Sequence, residues 1–366
     1  MIPGEADLRA RVRAFLAGES FVPRCDAWLS GHDPAFSRRL AEHGLVGMTI
    51  PTAYGGGGCS ALDRYVVTEE LLVAGAPVAA HWMADRQTAP LLLRYGTEEQ
   101  RQRFLPGIAR AECLFAIGMS ESQAGSDLAA IRTVATPVEG GYLVRGRKVW
   151  TSHAQRSHFM VTLCRTEESD DRHGGMSQLI VDLTAPGVEV SPVRLLGGEA
   201  HFNEVALDDV FVPDNDLIGR PGAGWEQVMS ELGYERSGPE RLLSTFPLLA
   251  ELARTTPPAA GDALCALGHA VAGLAALRQL SLGVAGALAA GEIPVVEAAL
   301  VKDVGTRLEG KIVELARLYG ADGSDGPPTP QRSLLSQAVL AAPGFTLRGG
   351  ATEILRGIVA RGLGVR

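Results

Sequence analysis

Four stretches in the first 110 residues place apolar side chains every three or four positions: ADLRARVRAFLAG (6–18), PAFSRRLAEHGLVG (34–47), ALDRYVVTEELLVAG (61–75) and TEEQRQRFLPGIAR (97–110). That spacing predicts amphipathic helices. Gly55–Gly58, following Tyr54, reads as a turn between two of them; as a phosphate loop it is weak, because no GK[ST] follows. From 111 to about 215 the period shortens. TVATPV, YLVRGRKVW, HFMVTLCRT, QLIVDL and NEVALDDVFV are short, β-branched and near-alternating, as strands are. Gly140-Gly141 between two of them reads as a tight hairpin turn, and strands this closely spaced predict a small antiparallel barrel or sandwich. Beyond Gly222 the helical period returns over roughly 225–253, 262–290, 295–319, 331–340 and 352–362, punctuated by Pro257-Pro258, Gly291 and Pro294, with ADGSDGPPTP (321–330) as an exposed loop. The short connections predict a bundle of antiparallel helices. The expected fold is therefore α+β and multi-domain: helices over 1–110, a β-domain over 111–220 and a helical bundle over 221–366.

The length of 366 residues agrees with this division, since one hydrophobic core rarely serves so long a chain. A net charge of −8 argues against nucleic acid as a main partner, although local arginines can still hold a polyanion. The five cysteines, at 25, 59, 113, 164 and 265, are scattered, and no CxxC pair or Cys/His cluster suggests zinc. That usage fits a reducing cytosol. The N-terminus carries Glu5 and Asp7 and has no apolar core of signal-peptide length. The longest apolar runs lie in alanine- and glycine-rich helices interrupted by charges, so no membrane span and a cytoplasmic location are expected.

Candidate chemistry concentrates in two loops. GMSESQAGSD (Gly118–Asp127) follows a strand and alternates small residues with hydroxyls, so its backbone and Ser120, Ser122 and Ser126 suit a phosphate or the edge of a heterocycle; alone it also reads as an ordinary serine-rich turn. Val149-Trp150-Thr151-Ser152 sets an indole beside two hydroxyls at the end of a strand, a place where a lone Trp usually belongs to the core. In this order and spacing the two loops resemble the acyl-CoA dehydrogenase family. IPTAYGGGG, GTEEQRQRFLPGIARAE, DVFVPDNDLIG and GGATEILRGIVARGLG extend the likeness over nearly the whole chain.

The resemblance implies a C-terminal four-helix bundle, bound FAD, and oxidation of an acyl thioester across its α and β carbons. Met119, Ser120 and Ser126 are the implied flavin contacts of the first loop, with Ser126 also near substrate. Trp150, Thr151 and Ser152 are implied to lie against the isoalloxazine ring and its reactive nitrogen. Ala351, Thr352 and Glu353 open the last helix, whose N-terminus favours the cofactor's anionic part, although Thr352 also reads as a helix N-cap. Arg236 and Gly350 are implied substrate contacts. The chemistry calls for a carboxylate base, its pKa lifted by a desolvated pocket, and for hydrogen bonds to the thioester carbonyl.

Many family members place that glutamate directly before the Gly-Thr of the last helix, where this chain has Gly349. Others place it on an earlier helix in a pattern like L-x-x-E-R. LGYERSGPER (Leu232–Arg241) fits that pattern with Glu235, and Glu240 is the near-duplicate alternative. On one continuous helix the two would point well apart, about 500° of rotation. Glu235 is the expected base; the plain reading is a surface glutamate paired with an arginine. The family's R-x-x-F-G motif, whose arginine reaches FAD pyrophosphate in a neighbouring subunit, is also missing: no Arg or Lys occurs from Thr255 to Leu277, and no Phe-Gly follows Arg278.

No GxSxG, HExxH or Walker pattern competes. His153 can line a pocket but reads more simply as a hydrogen-bonded histidine, and Glu167–Asp171 as a solvated loop. The implied partners are an acyl thioester of CoA or carrier protein, an electron-transfer flavoprotein or similar acceptor, and further subunits in a homodimer, homotetramer or hetero-oligomer. Two other readings stand beside the dehydrogenase: a non-catalytic or half-site subunit, and a flavin monooxygenase using the same pocket.

Overall fold

A computed structural model describes residues 4–292, 294–320 and 329–365. The loop expected at 321–330 lies, but for its last two residues, outside them. The chain order is α1 (Glu5–Ala17), α2 (Ala27–Ser30), α3 (Pro34–Glu42), α4 (Ala61–Val73), α5 (Ala79–Met83), α6 (Ala89–Tyr95), α7 (Glu98–Ala109), then strands β1 (Phe115–Gly118), β2 (Val134–Val138), β3 (Gly141–Ser152), β4 (Phe159–Arg165), β5 (Met176–Asp182), β6 (Val188–Val193), β7 (Phe202–Pro213) and β8 (Leu217–Ile218). Helices α8 (Gly224–Ser237), α9 (Phe246–Thr255), α10 (Gly261–Ala289), α11 (Val295–Tyr319), α12 (Pro330–Phe345) and α13 (Thr352–Gly362) complete it. Helices, then strands, then helices is the order the hydrophobic periods predict.

Contacts gather the chain into two compact units that cut across those zones: residues 1–32, 60–79 and 233–366 form one, and 33–59 with 80–232 the other. In the first, α1 and α4 join the C-terminal helices around a core of Leu248, Leu252, Leu277, Ile312 and Phe345. Charge adds to this packing. Arg278 of α10 donates to Glu69 of α4 at 2.6 and 3.0 Å and to Glu5 of α1 at 3.3 Å, while Arg9 and Arg13 of α1 bind Glu70. Among the described residues α10 is the one helix long and apolar enough to cross a membrane. It packs instead beside α11 and α4 as a bundle helix, tied down by Arg278.

The second unit is built on a sheet of eight strands in the order β6-β7-β3-β2-β4-β5-β8, with β1 against β4. Most pairs are antiparallel; β1 and β2 meet β4 in parallel. Its core holds Val144, Met160, Leu179 and Val205, and the rings of Phe104, Phe115 and Phe159 pack with centroids 5.1–5.5 Å apart. The helix starts are legible in the sequence. Ser60 with Asp63 and Thr97 with Gln100 each close a reciprocal capping box at the heads of α4 and α7.

Three local expectations are corrected. The hairpin loop is Glu139-Gly140, because Gly141 already pairs with Val138; Gly140 takes the left-handed φ of +77°. The helix expected over 225–253 is broken, since α8 stops at Ser237, a 3₁₀ turn covers Pro239–Arg241, and α9 starts at Phe246. Pro239 has no N–H to continue the ladder and disfavours helical geometry at Gly238. Glu235 and Glu240 therefore never share one helix, and the rotation between them on a helix does not apply. Thr352 is not the N-cap of α13; Ala351 is, and no side chain caps that end.

Candidate flavin loop and carboxylate cluster

Gly118 ends β1 where a Cβ would meet Met160 Sδ at 2.7 Å, so any larger residue would push the Met160 side chain aside. The loop beyond it is stapled to β3. Met119 O accepts from Lys148 Nζ at 3.1 Å, Ser120 O accepts from Val149 N at 2.9 Å, and Glu121 and Ala124 exchange backbone bonds of 2.9 and 3.0 Å. The fixed point is Glu121, 5% exposed, whose carboxylate accepts from Lys148 Nζ (2.8 Å), Arg132 N, Thr133 N, Thr133 Oγ1 and Gln123 Nε2. Burial pushes this carboxyl up, but the Lys148 charge and these donors outweigh it and hold it down to about 2. Burial also pulls the Lys148 ammonium down. Because the donors converge on the carboxylate, Glu121 is held in its ionised form.

The strand end that this staple fixes is irregular. The register of β3 on β7 shifts between Lys148 and Thr151, and Trp150 takes φ +58°, a rare conformation for an aromatic residue. The bulge turns the indole outward, 58% exposed and edge-on to Phe202. Trp150 is thus not core. Next to it Thr151 is fully buried, its Oγ1 without a hydrogen-bond partner. Ser152 is half-buried and His153 buried, with φ +57° and its N–H donated to His201 O at 2.7 Å. The structure brings Met119 and Ser120 together with 148–152; Ser126 stands exposed farther along the loop.

The other unit carries a cluster of charged residues around the turn between α12 and α13. Gly349 and Gly350 have φ of +69° and +113°, both positive, as glycine permits. A Cβ on Gly349 would lie 2.9 Å from Glu235 Oε1, 2.9 Å from Arg241 Nη2 and 3.2 Å from Lys302 Cε. Arg236 Nε donates to Gly349 O at 2.9 Å, and Arg241 donates to Glu235 Oε1 at 3.0 Å and Glu235 O at 2.9 Å. Glu235, Arg236, Gly349, Gly350 and the start of α13 are therefore neighbours. Thr352 N donates back to Thr346 O at 3.1 Å, and the exposed Glu353 already places a carboxylate in the first turn of α13. Glu240 lies apart, 2% exposed in the 3₁₀ turn, its charge acting on Tyr65 of α4.

The motifs did not announce the layer behind this turn. Trp28 has the Arg348 guanidinium 4.7 Å and the Arg241 guanidinium 5.0 Å from its ring centroid, and its Nε1 donates to Ser244 Oγ at 3.0 Å. Arg348 is bidentate to Asp26 at 2.6 Å through each nitrogen. Ser244 N donates to Glu309 Oε1 at 2.8 Å; burial raises that carboxyl to about 7, opposed by Arg348 and the Ser244 N–H. The one signal in the sequence was compositional: the chain has 31 arginines and three lysines, and Lys148 and Lys302 are two of the three.

Three family models match in succession: the N-terminal domain of acyl-CoA dehydrogenase over residues 3–112, the middle domain over 116–210 and the C-terminal domain over 259–364. Glu235 falls between the second and third. Acyl-CoA dehydrogenase IpdE1 of Mycobacterium tuberculosis is 36% identical over 339 residues, 89% of this chain and 86% of that protein; FadE26 of the same organism is 31% identical over 99% and 97%. The solved Tcur3481-Tcur3483 steroid ACAD superposes with a TM-score of 0.87 at 26% identity, covering 100% of this chain and 98% of that one. The ChsE4-ChsE5 complex from M. tuberculosis gives 0.83 at 28%, with the same coverage. With matching domains along most of its length and relatives this similar end to end, the chain belongs to the acyl-CoA dehydrogenase family of flavoenzymes.

Proposed function

We propose that the protein catalyses FAD-dependent α,β-dehydrogenation of an acyl thioester with Glu235 as the base. The observation that carries this reading is at Gly349. The glutamate that many relatives begin at that position has no side chain here, and the carboxylate of Glu235 lies 2.9 Å from where its Cβ would be. Glu235 delivers a carboxylate to the neighbourhood that Gly349 leaves empty. Arg241 occupies Oε1, which leaves Oε2 to take the α-proton, and Arg236 fixes the turn carrying Gly349. The orphaned Thr151 hydroxyl and the outward Trp150 indole fit a flat heterocycle with hydrogen-bonding edges. FAD is held, in this reading, by Met119, Ser120, Ser126, Trp150, Thr151, Ser152 and the backbone of Ala351–Glu353. When bound it supplies the acceptor for the β-hydrogen, with an electron-transfer flavoprotein or similar acceptor downstream.

A second reading is favoured by a specific observation. Arg278, the first cation after the position of the missing R-x-x-F-G arginine, is spent on Glu69 and Glu5 within its own unit. The pyrophosphate then needs a cation from elsewhere, and a second, non-identical chain is one source. Two structural neighbours, the Tcur3481-Tcur3483 steroid ACAD and the ChsE4-ChsE5 complex, each carry two protein names. On this reading the protein is one half of a hetero-oligomeric dehydrogenase; a homodimer or homotetramer is the alternative. The likeness to a steroid ACAD makes steroid acyl-CoA the first thioester class to try, in a cytoplasmic setting consistent with five free cysteines. The test is an absorbance spectrum of the protein purified alone, then anaerobic titration with a panel of acyl-CoAs. A flavin band bleached by one class establishes the dehydrogenase. A colourless protein that reconstitutes only with a second chain establishes the half-site, and a flavin reduced by no thioester points to oxygen chemistry or to an acyl carrier protein.

A further inference from the structure

Lys302, on α11, is fully buried. Its Nζ donates to Gly350 O at 2.9 Å and to Phe345 O at 3.4 Å, the two ends of the turn between α12 and α13. Its Cε lies 3.2 Å from the position of a Cβ on Gly349, the same position that Glu235 Oε1 approaches to 2.9 Å. We propose that Lys302 is a positioning residue for dehydrogenation: it clamps the Gly349–Gly350 turn beside Glu235, and its charge sets how strongly that carboxylate takes up a proton. The second half of this rests on Glu235 being the base.

Two further observations support the assignment. The chain writes its cations as arginine 31 times and as lysine three times, yet places a lysine here in full burial. An arginine never loses its proton in a protein, whereas a buried lysine does so readily. The charges around Nζ also favour its release. Burial acts first, then Arg241 from the 3₁₀ turn, with Arg348 from the turn and Arg236 from α8 adding to it and Glu235 opposing, and together they bring the ammonium to about 7. Two carboxyls of α11 also stand near. Asp303 pairs with Arg307 and with Arg356 of α13. Glu309, raised by burial to about 7, faces Arg348, Asp26 and Ser244 N, so it is the loss of the inflection in the Lys302 variants that assigns it to Lys302. Below the Lys302 pKa a fourth cation joins Arg236, Arg241 and Arg348 around the Glu235 carboxylate. Above it, the neutral amine keeps its hydrogen bonds to the turn and that added positive charge is gone.

The experiment compares the flavin-loaded protein, in whatever assembly it forms, with K302M, K302R and E235Q. Rates of flavin reduction at saturating thioester are followed through the neutral range. Wild type is expected to show an inflection near pH 7; K302R should lack it and stay several-fold slow throughout, and K302M should lack it with little pH dependence left from this site. Three labelled lysine side chains give three NMR signals, and the one missing from K302M should titrate near 7. Hydrogen exchange of the 346–351 amides should quicken in K302M and less so in K302R. A merely structural lysine would lower the rate in both variants with the inflection intact, and that result, or a Lys302 signal titrating in the ordinary lysine range, overturns the proposal. If E235Q still reduces flavin at the wild-type rate, the base assignment fails and takes the tuning with it. Exchange in K302M no faster than wild type overturns the clamp separately.

Discussion

At the scale of single residues, the decisive pair is Glu235 and Gly349. E235Q keeps the Arg241 contact through its amide oxygen but cannot accept the α-proton. Flavin reduction by thioester should fall by about 10²–10⁴-fold, the usual worth of a positioned base, while the flavin spectrum is unchanged; stopped-flow absorbance reads both. Gly349→Ala makes the complementary point. At φ +69° a Cβ costs about 1–3 kcal/mol, and this one would also press on Glu235 and Arg241. Urea denaturation should show the loss, and turnover should fall because the carboxylate is displaced. The motifs showed that Glu235 is a candidate and that Gly349 cannot be the base. That the two share one small volume was not legible, because 114 positions of chain separate them and only the return of the α12–α13 turn to α8 brings them together.

Among elements, the staple between the 118–127 loop and β3 holds the face proposed to take the flavin. E121Q leaves Lys148 buried opposite a neutral amide. Breaking a buried pair in this way costs about 3–5 kcal/mol, and bound flavin should fall with it, measurable as absorbance per protein and as a lowered denaturation midpoint. The same carboxylate fixes a pH dependence. Its folded pKa, about 2, lies below the ordinary value of 4.5, so its contribution is fully present above that ordinary value and drains away as pH falls toward 2. Melting curves in acid should therefore separate wild type from E121Q least at the lowest pH. Sequence patterns found β3 and its loop but read Glu121 and Lys148 only as members of a motif. The bulge that turns Trp150 outward depends on pairing with β7, some fifty residues later, and no local signal encodes it. The break between α8 and α9 was missed in the sequence, where the helical period hid the signal of Ser237-Gly238-Pro239.

For the whole molecule, the question is what completes the cofactor site. With Arg278 committed to Glu69 and Glu5, the protein expressed alone is expected to hold substoichiometric flavin. Co-expression with a second dehydrogenase chain should restore one flavin per pair, checked by light-scattering mass and flavin absorbance. Full flavin on a homo-oligomer would show that another residue of this chain meets the pyrophosphate. Apolar faces left open on the bundle helices, with Leu264, Val271 and Leu280 of α10 all more than 40% exposed, are where an added chain has surface to cover.

The order of helices, strands and helices, the capping boxes, the small-residue loop after β1 and the absence of a carboxylate at 349 were all determined by the sequence, because each depends on local period, local turn chemistry or the identity of one residue. The tertiary structure alone decided which helices form a unit, placing α1 and α4 with the C-terminal bundle through Arg9, Arg278, Glu69 and Glu70. It alone brought Lys302 and Glu235 together beside Gly349. Such placements depend on burial and on charges brought together from distant segments, and these have no value until the chain has folded.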